Sequence, residues 1–152
     1  MQELTTGVVF RLATIRHNFP PDSQKLHVLH LELSENDKRQ AAERGTPALL
    51  SIFDATRTTV AQAEAIRGVP DESLAFGLRV QEVRSLTIPG MRQPLRVVRD
   101  PLEPPLSGMP GAEGHCGLEG LERLPGEDRR VYRELRVQLV DLSFQYRDAL
   151  PF

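Results

Sequence analysis

The sequence predicts a single α+β domain: a mixed sheet of about five to six short strands, with helices packed on one face and a long C-terminal helix. Short β-branched or alternating apolar runs recur along the 152 residues. Helix start and stop signals separate several of these runs. The strict strand–helix alternation of a βαβ wrap is missing, which favours the α+β class. A chain of this length normally forms one domain.

Two predicted strands precede the first predicted helix. The run GVVFRLATI at 7–15 is β-branched, and KLHVLHLEL at 25–33 alternates apolar residues. Ser34 then offers an N-cap for a helix over 35–44, and Gly45 lies where a helix would end. This helix has almost no apolar stripe, so we expect it on the surface.

The middle of the chain predicts a buried strand, a short helix and another strand. PALLSIF at 47–53 is a continuous apolar run, typical of a strand that is covered on both faces. Thr59 and Gln62 have the spacing of a capping box, and Gly68 supplies the end of that helix. LAFGLRV at 74–80 alternates apolar residues as a strand does.

The following stretch is less regular. QEVRSL at 81–86 predicts one helical turn, and PLRVVRD predicts a strand near 94–100. The prolines and glycines of 101–114 exclude a helix and a central strand, so we expect a long loop. HCGLEGL at 115–121 predicts a short, glycine-rich strand.

The C-terminal segment, near 127–147, has the clearest helical periodicity. One apolar face is spaced 4, 4, 3 and 4 and comprises Val131, Leu135, Leu139, Leu142 and Tyr146. A second row of Val137, Val140 and Phe144 lies almost opposite. Residues 140–147 also alternate, so this end could instead be a strand. We favour the helix because its caps and length agree.

Composition bounds the possible partners. The net charge is −2, which gives no general attraction to nucleic acids or anionic membranes. The single cysteine, Cys116, excludes an internal disulfide framework and fits a reducing compartment. The first residues lack a signal-peptide pattern, and no run approaches the ~20 apolar residues of a membrane span. We therefore expect a cytoplasmic protein with no membrane partner.

Asp54, Arg57 and Thr58 lie between a predicted strand and a helix, a position where ligands often gather. The carboxylate of Asp54 could act as a base, but Asp and Thr are also the usual residues of a turn before a helix. We favour the turn. His115 is a second catalytic candidate because it follows the accessible loop, although a solvated or hydrogen-bonded role is commoner.

Arg11, in the strand sequence VFRL, resembles the strand arginine with which small ADP-ribosyltransferase-type folds hold a dinucleotide. The companion motifs of that family are not recognisable, so the chain is not assigned to it. His27 and His30 are three apart on a predicted strand and face opposite ways. No zinc-ligand spacing occurs, and we expect neither a metal nor a cofactor.

The two apolar rows on the predicted C-terminal helix favour a docking function. Arg133 adjoins Val137, Val140 and Phe144, which together have the composition of an interface. We therefore expect a small binding or accessory protein: an adaptor, a regulator or a subunit of a larger bacterial assembly. A protein partner or self-association would cover this helix.

Two alternatives stay open. The chain could be a small enzyme or ligand-binding domain for a phosphorylated or nucleotide-like molecule, with Arg11, Asp54, Arg57 and His115 in its pocket. It could also associate with nucleic acid through a stripe of arginines at i, i+4 and i+7 of the last helix, namely Arg129, Arg133 and Arg136. The acidic balance and the 5% aromatic content disfavour this last alternative.

Overall fold

The computed structural model describes residues 2–14, 28–68 and 73–148. The strands are β1 (Glu3–Leu4), β2 (Val8–Thr14), β3 (Leu49–Asp54), β4 (Ser73–Arg79), β5 (Arg96–Arg99), β6 (His115–Glu119) and β7 (Phe144–Gln145). The α-helices are α1 (Glu35–Arg44), α2 (Val60–Arg67), α3 (Val80–Ser85) and α4 (Arg129–Leu142). Short 3-10 helices cover Val28–Leu31, Leu106–Gly108 and Ala112–Gly114.

The strands form one seven-stranded sheet in the spatial order β1-β5-β6-β3-β2-β4-β7. The α+β class is confirmed, but every pairing among the described residues is antiparallel, so the expected mixed sheet is wrong. The number of strands was also underestimated. The two edge strands, β1 and β7, are only two residues long, which is too short to leave an alternating pattern in the sequence.

One face of the sheet carries the larger core. Val9 and Ile52 point to this face, and the helices α3 and α4 cover it through Val83, Leu135 and Leu139. These helical residues are completely buried. The 3-10 helix Val28–Leu31 adds Leu31 to the same core.

The opposite face carries a second, smaller core. Phe10 and Phe53 belong to it because neighbouring residues of a strand point to opposite faces. Their rings stack 5.7 Å apart, and Ala63 and Ile66 of α2 pack against them. The prediction of helices on one face is therefore wrong. In β2 and β3, large apolar residues occupy adjacent positions, so their side chains point to opposite faces and both faces of the sheet are apolar.

The capping signals give the helices their observed bounds. Ser34 accepts a hydrogen bond from the backbone of Asp37, and Thr59 accepts one from the backbone of Gln62. Both form reciprocal capping boxes. Each of these helices ends in a left-handed glycine, as its sequence predicts.

The predicted strand at 25–33 is wrong where it can be compared. Residues 28–31 form a 3-10 helix, while 25–27, including His27, lie outside the described residues. The apolar side chain of Leu31 is buried in the larger core from this helical conformation. In residues 28–31, alternating apolar residues therefore did not indicate a strand, because this segment buries Leu31 from a 3-10 helix.

The C-terminal helix is shorter than predicted. α4 ends at Leu142, Ser143 has an extended backbone, and Phe144 pairs with Gly77 of β4. The cause lies in β4, because Gly77 leaves room for the Phe144 ring: a Cβ there would lie 2.5 Å from that ring. The alternative of a strand over 140–147 is met only in part, because the chain is helical to Leu142 and the strand covers Phe144–Gln145. None of the helices in the described ranges has the length and apolar character of a membrane span.

Candidate functional site

A cleft of about 700 Å³ opens over the end of the sheet where β3 and β6 meet. Ser51 and His115 are the polar side chains that these strands contribute. The cleft is walled by α1, by the end of α2 and by the loop at 100–106. Its apolar lining includes Leu102 and Leu106, and Leu106 is 39% exposed. The cleft therefore combines an apolar wall with a few polar groups, as ligand sites commonly do.

Strand pairing brings Ser51 and His115 together. In the register of β3 with β6, His115 lies opposite Phe53, and Ser51 lies opposite Gly117. Ser51 and Phe53 are two residues apart, so both share a face with His115. Ser51 Oγ lies 2.8 Å from His115 Nε2, and the Phe53 ring packs edge-on against the imidazole at 5.3 Å.

Asp100 fixes the protonation of the imidazole. His115 Nδ1 lies 2.7 Å from the backbone oxygen of Asp100 and 3.7 Å from its carboxylate oxygen Oδ2. A carbonyl oxygen can only accept, so Nδ1 carries the proton and Nε2 of the neutral ring is an acceptor. Ser51 therefore donates its hydroxyl hydrogen to Nε2. This is the arrangement of a serine nucleophile with its general base.

The surroundings keep this base neutral. Burial lowers the pKa of His115 below its usual 6.5. The hydrogen bond to Asp100 and the charge of Asp100 oppose this shift, while the positive charge of Arg67 adds to it. Arg67 also lines the cleft and is exposed at its edge. At neutral pH the imidazole is thus available to accept a proton.

Arg11 supports this site from behind rather than lining it. Its Nε donates to the backbone oxygen of His30 at 2.6 Å, and its Nη1 donates to the backbone oxygen of Ser51 at 2.7 Å. The pairing of β2 with β3 covers only two positions, so the guanidinium takes the place of further ladder hydrogen bonds. Burial is the main reason that the pKa of Arg11 falls to about 10.

Asp54 turns the chain. Its Oδ1 accepts hydrogen bonds from the backbone N–H and the hydroxyl of Thr56, and its Oδ2 lies 2.8 Å from Arg99 Nη1. Arg57, half exposed, lies 4.0 Å from the same carboxylate. Because Asp54 follows Phe53, its side chain points away from the face that carries His115. The two catalytic candidates therefore do not converge.

Thr58, expected to bind a ligand, is buried and donates its hydroxyl hydrogen to the backbone oxygen of Gly111 at 2.6 Å. This bond ties the start of α2 to the loop that precedes β6. A Cβ at Gly114 would lie 1.9 Å from the Thr58 hydroxyl, so the contact needs a glycine. Thr58 lines neither of the two clefts described for this chain.

The residues expected to form a docking face are divided between two elements. Val140 packs against the larger core, and Val137 is half-buried on α4. Phe144 belongs to β7, where the Arg79 guanidinium lies 4.5 Å above its ring. Arg133 is exposed and lines a second cleft. The apolar row that predicted a docking helix is therefore interrupted.

Sequence reasoning found His115 but missed Ser51 and Asp100. One signal was available: Ser51 is the single polar residue inside the apolar run LLSIF. A hydroxyl at such a position needs a hydrogen-bond partner in the fold. The identity of that partner depended on strand register, which the sequence does not reveal.

Among residues 2–14, 28–68 and 73–148, no group of three or more His, Cys, Asp or Glu side chains could hold a metal ion. Cys116 is buried, and burial raises the pKa of its thiol to about 11. Comparison of the chain with protein-family models, curated proteins and solved structures found no match.

Proposed function

We propose that the protein is a small serine hydrolase of carboxylic esters, with Ser51 as nucleophile and His115 as general base. The observation that carries this proposal is the 2.8 Å contact between Ser51 Oγ and His115 Nε2 in an open cleft. Ser51 is half-buried, so its oxygen is held by the base and also borders space that a substrate can enter. Asp100 holds the imidazole in the tautomer that such a reaction requires.

The reaction follows from these contacts. Ser51 Oγ attacks the ester carbonyl carbon while its proton passes to His115 Nε2. The alcohol leaves with that proton, which gives an acyl-serine and a neutral imidazole. A water molecule then gives a proton to Nε2 and attacks the acyl carbon. As the bond between that carbon and Ser51 Oγ breaks, the proton passes from Nε2 to Oγ, which releases the carboxylic acid and restores the serine and the neutral imidazole. Arg67 lines the cleft, and its charge acts on His115, so it is our candidate for stabilising the negative charge that develops on the carbonyl oxygen.

The lining favours an ester over a phosphate. The cationic side chains Arg44 and Arg67 are accompanied by three carboxylates, Asp37, Asp100 and Glu103. Arg44 is already paired with Glu103 at 3.2 Å. Such a cleft does not concentrate phosphates, whereas its proline and leucine wall suits a short apolar acyl group. We therefore replace the expected phosphorylated ligand of this cleft with a neutral ester.

Hydrolysis of p-nitrophenyl butyrate by purified protein tests the proposal. Ser51→Ala should lower kcat/KM by roughly 1,000-fold or more. His115→Gln should lower it by about 100- to 10,000-fold, because the base is lost. Ser107→Ala is the matched control, since Ser107 is exposed in the 101–114 loop and does not line the cleft. It should leave the rate unchanged.

Folding of each variant is checked by its circular dichroism spectrum and thermal midpoint. A wild-type rate no higher than that of folded Ser51→Ala would contradict the proposal. So would faster turnover of p-nitrophenyl phosphate than of the butyrate, which would return the cleft to the phosphorylated class of ligand. The first result would leave the Ser51–His115 contact with a structural role in the sheet alone, whereas the second would change the class of substrate.

The docking function expected from the sequence stays a prediction. Its support was an apolar row along one long helix, and that helix ends before Phe144. What supports it now is Val137, half-buried beside the exposed Arg133. This surface is smaller than the one expected, and we place the function second.

A further inference from the structure

A second cleft, of about 600 Å³, lies along α4 and shares no lining residue with the Ser51 cleft. Its lining is strongly basic. The cationic side chains are Lys38, Arg123, Arg129, Arg130, Arg133 and Arg136, and the acidic ones are Glu32 and Glu122. The whole chain has a net charge of −2, so positive charge is concentrated at this place.

Three of these six cationic side chains already have partners within the protein. Arg130 forms an ion pair with Asp128 at 2.9 Å, and Lys38 lies 3.6 Å from Glu35. Arg123 donates to the backbone oxygen of Glu127. These three cations contribute less to the attraction of a ligand.

The other three arginines have no such partners among the residues that the structure describes. Arg129 and Arg133 are exposed, and Arg136 is half-buried with its Nε buried and without a hydrogen-bond acceptor. They follow one another at i, i+4 and i+7, so they share one side of α4. A buried guanidinium N–H without an acceptor is unfavourable, and an anion that reached it would satisfy it.

We propose that this cleft binds a small molecule with two or more adjacent phosphate groups. The guanidinium fork matches two phosphate oxygens at once, and three forks in a row match a chain of phosphates. The dimensions of the cleft suit a compact polyanion rather than a nucleic-acid duplex.

The cleft is not built to stack a nucleobase. Its aromatic residue, Tyr132, is buried and donates its hydroxyl hydrogen to Glu127 at 2.6 Å. Binding of single-stranded nucleic acid normally uses exposed aromatic rings. The phosphates of the ligand, and not a base, therefore supply the recognition.

Calorimetric titration with sodium tripolyphosphate tests this proposal. The wild type should bind one equivalent saturably, and binding should weaken as salt is added. The double variant Arg129→Gln/Arg133→Gln changes two exposed side chains, so it should fold normally and bind roughly tenfold or more weakly. Arg136→Lys keeps the charge but removes the fork, and it should also weaken binding.

Arg147→Gln is the control, because Arg147 is exposed and lines neither cleft. It removes one positive charge from the surface, whereas the double variant removes two. It should bind as the wild type does. The proposal is overturned if no saturable binding occurs, or if Arg147→Gln weakens binding as much as the double variant. It is also overturned if single-stranded oligonucleotides bind more tightly than tripolyphosphate, since that result would assign the cleft to nucleic acid. Loss of Ser51-dependent esterase activity would leave this result unaffected.

Discussion

The Asp54 carboxylate accepts hydrogen bonds from Thr56 and forms an ion pair with Arg99. Only 4% of the residue is exposed. Burial by itself would raise the pKa of Asp54. The hydrogen bonds from Thr56 and the contact with Arg99 outweigh it, and the pKa is lowered below its usual 3.8. The charged form is therefore the one that stabilises the fold.

Replacement of Asp54 should destabilise the protein, with no catalytic residue changed. Asp54→Asn leaves the half-buried Arg99 without its buried counter-charge and should lower the free energy of unfolding by roughly 3 kcal/mol. Urea denaturation at pH 7 measures this loss. Glu113→Gln is the control, because Glu113 is exposed, and it should unfold as the wild type does.

The lowered pKa of Asp54 determines how its contribution to stability changes with pH. The folded-state pKa of Asp54 lies below its unfolded value, so its stabilisation is present above the unfolded pKa and lost as the pH falls through the folded one. The stability difference between wild type and Asp54→Asn should therefore shrink below about pH 4. A difference that is constant from pH 7 to pH 3 would contradict this account.

The sequence predicted the local contacts of polar residues but not their contacts with distant parts of the chain. The turn at Asp54 was predicted because Thr56 is its near neighbour in the chain, whereas its ion pair with Arg99 was not predicted. Ser51 and His115 are separated by 64 positions, and their contact exists because β3 and β6 pair in one register. A shift of one residue would place the two side chains on opposite faces. Local patterns do not contain that information.

The end of α4 shows how one strand can set the length of a helix. Phe144 leaves the helical path because its ring fits over Gly77 of β4, where any side chain would collide with it. Arg79 then covers the ring. The helix caps at Ser34 and Thr59 were predictable because their partners lie three residues away. The end of α4 at Leu142 depends instead on β4, which lies far earlier in the chain. Local helix propensity therefore could not predict where α4 ends.

Gly77→Ala should therefore loosen β7. The added methyl group would overlap the Phe144 ring, and we expect a loss of about 1–3 kcal/mol in the free energy of unfolding. Hydrogen exchange of the Tyr146 amide, which donates to the backbone oxygen of Ala75, should become faster. Gly108→Ala is the control, because a Cβ at Gly108 has no neighbour within 4 Å.

A double-mutant cycle separates this overlap from a general effect on β4. If the methyl group collides with the ring, Gly77→Ala should cost less in a Phe144→Ala background than in the wild type. Equal costs in the two backgrounds would contradict the proposed fit between Gly77 and Phe144.

The residues that the structure describes form one sheet between two apolar layers, and a tyrosine reports on each layer. Tyr132 is buried with α4 in the larger core. Tyr146 packs in the smaller core, with its ring stacked 5.0 Å from that of Phe10. The chain contains two tyrosines and no tryptophan, so each can be observed alone.

The two layers should unfold together because they share every central strand. Tyr132→Phe leaves only Tyr146 fluorescent, and Tyr146→Phe leaves only Tyr132. In each variant, the thermal midpoint from tyrosine fluorescence should coincide with the midpoint from far-ultraviolet circular dichroism. Fluorescence midpoints several degrees from the dichroism midpoint in either variant would show that the layers melt separately.

The α+β class was predictable from the sequence, but the faces of the sheet against which the helices pack were not. Strand and helix signals are local, so most elements were found near their observed bounds. The face on which a helix packs depends on the whole sheet, and here β2 and β3 present apolar side chains to both sides. The same arrangement leaves room at one end of β3 for the cleft that contains Ser51.

Covalent labelling of Ser51 by a fluorophosphonate, mapped by peptide mass spectrometry between pH 4 and pH 9, tests whether His115 activates Ser51 as a nucleophile. We expect an adduct on Ser51 in the wild type and none in folded His115→Gln. Because burial lowers the pKa of His115, the labelling rate should fall with decreasing pH only below 6.5, as the base becomes protonated. An unlabelled Ser51, or a rate that does not depend on His115, would contradict this activation of Ser51.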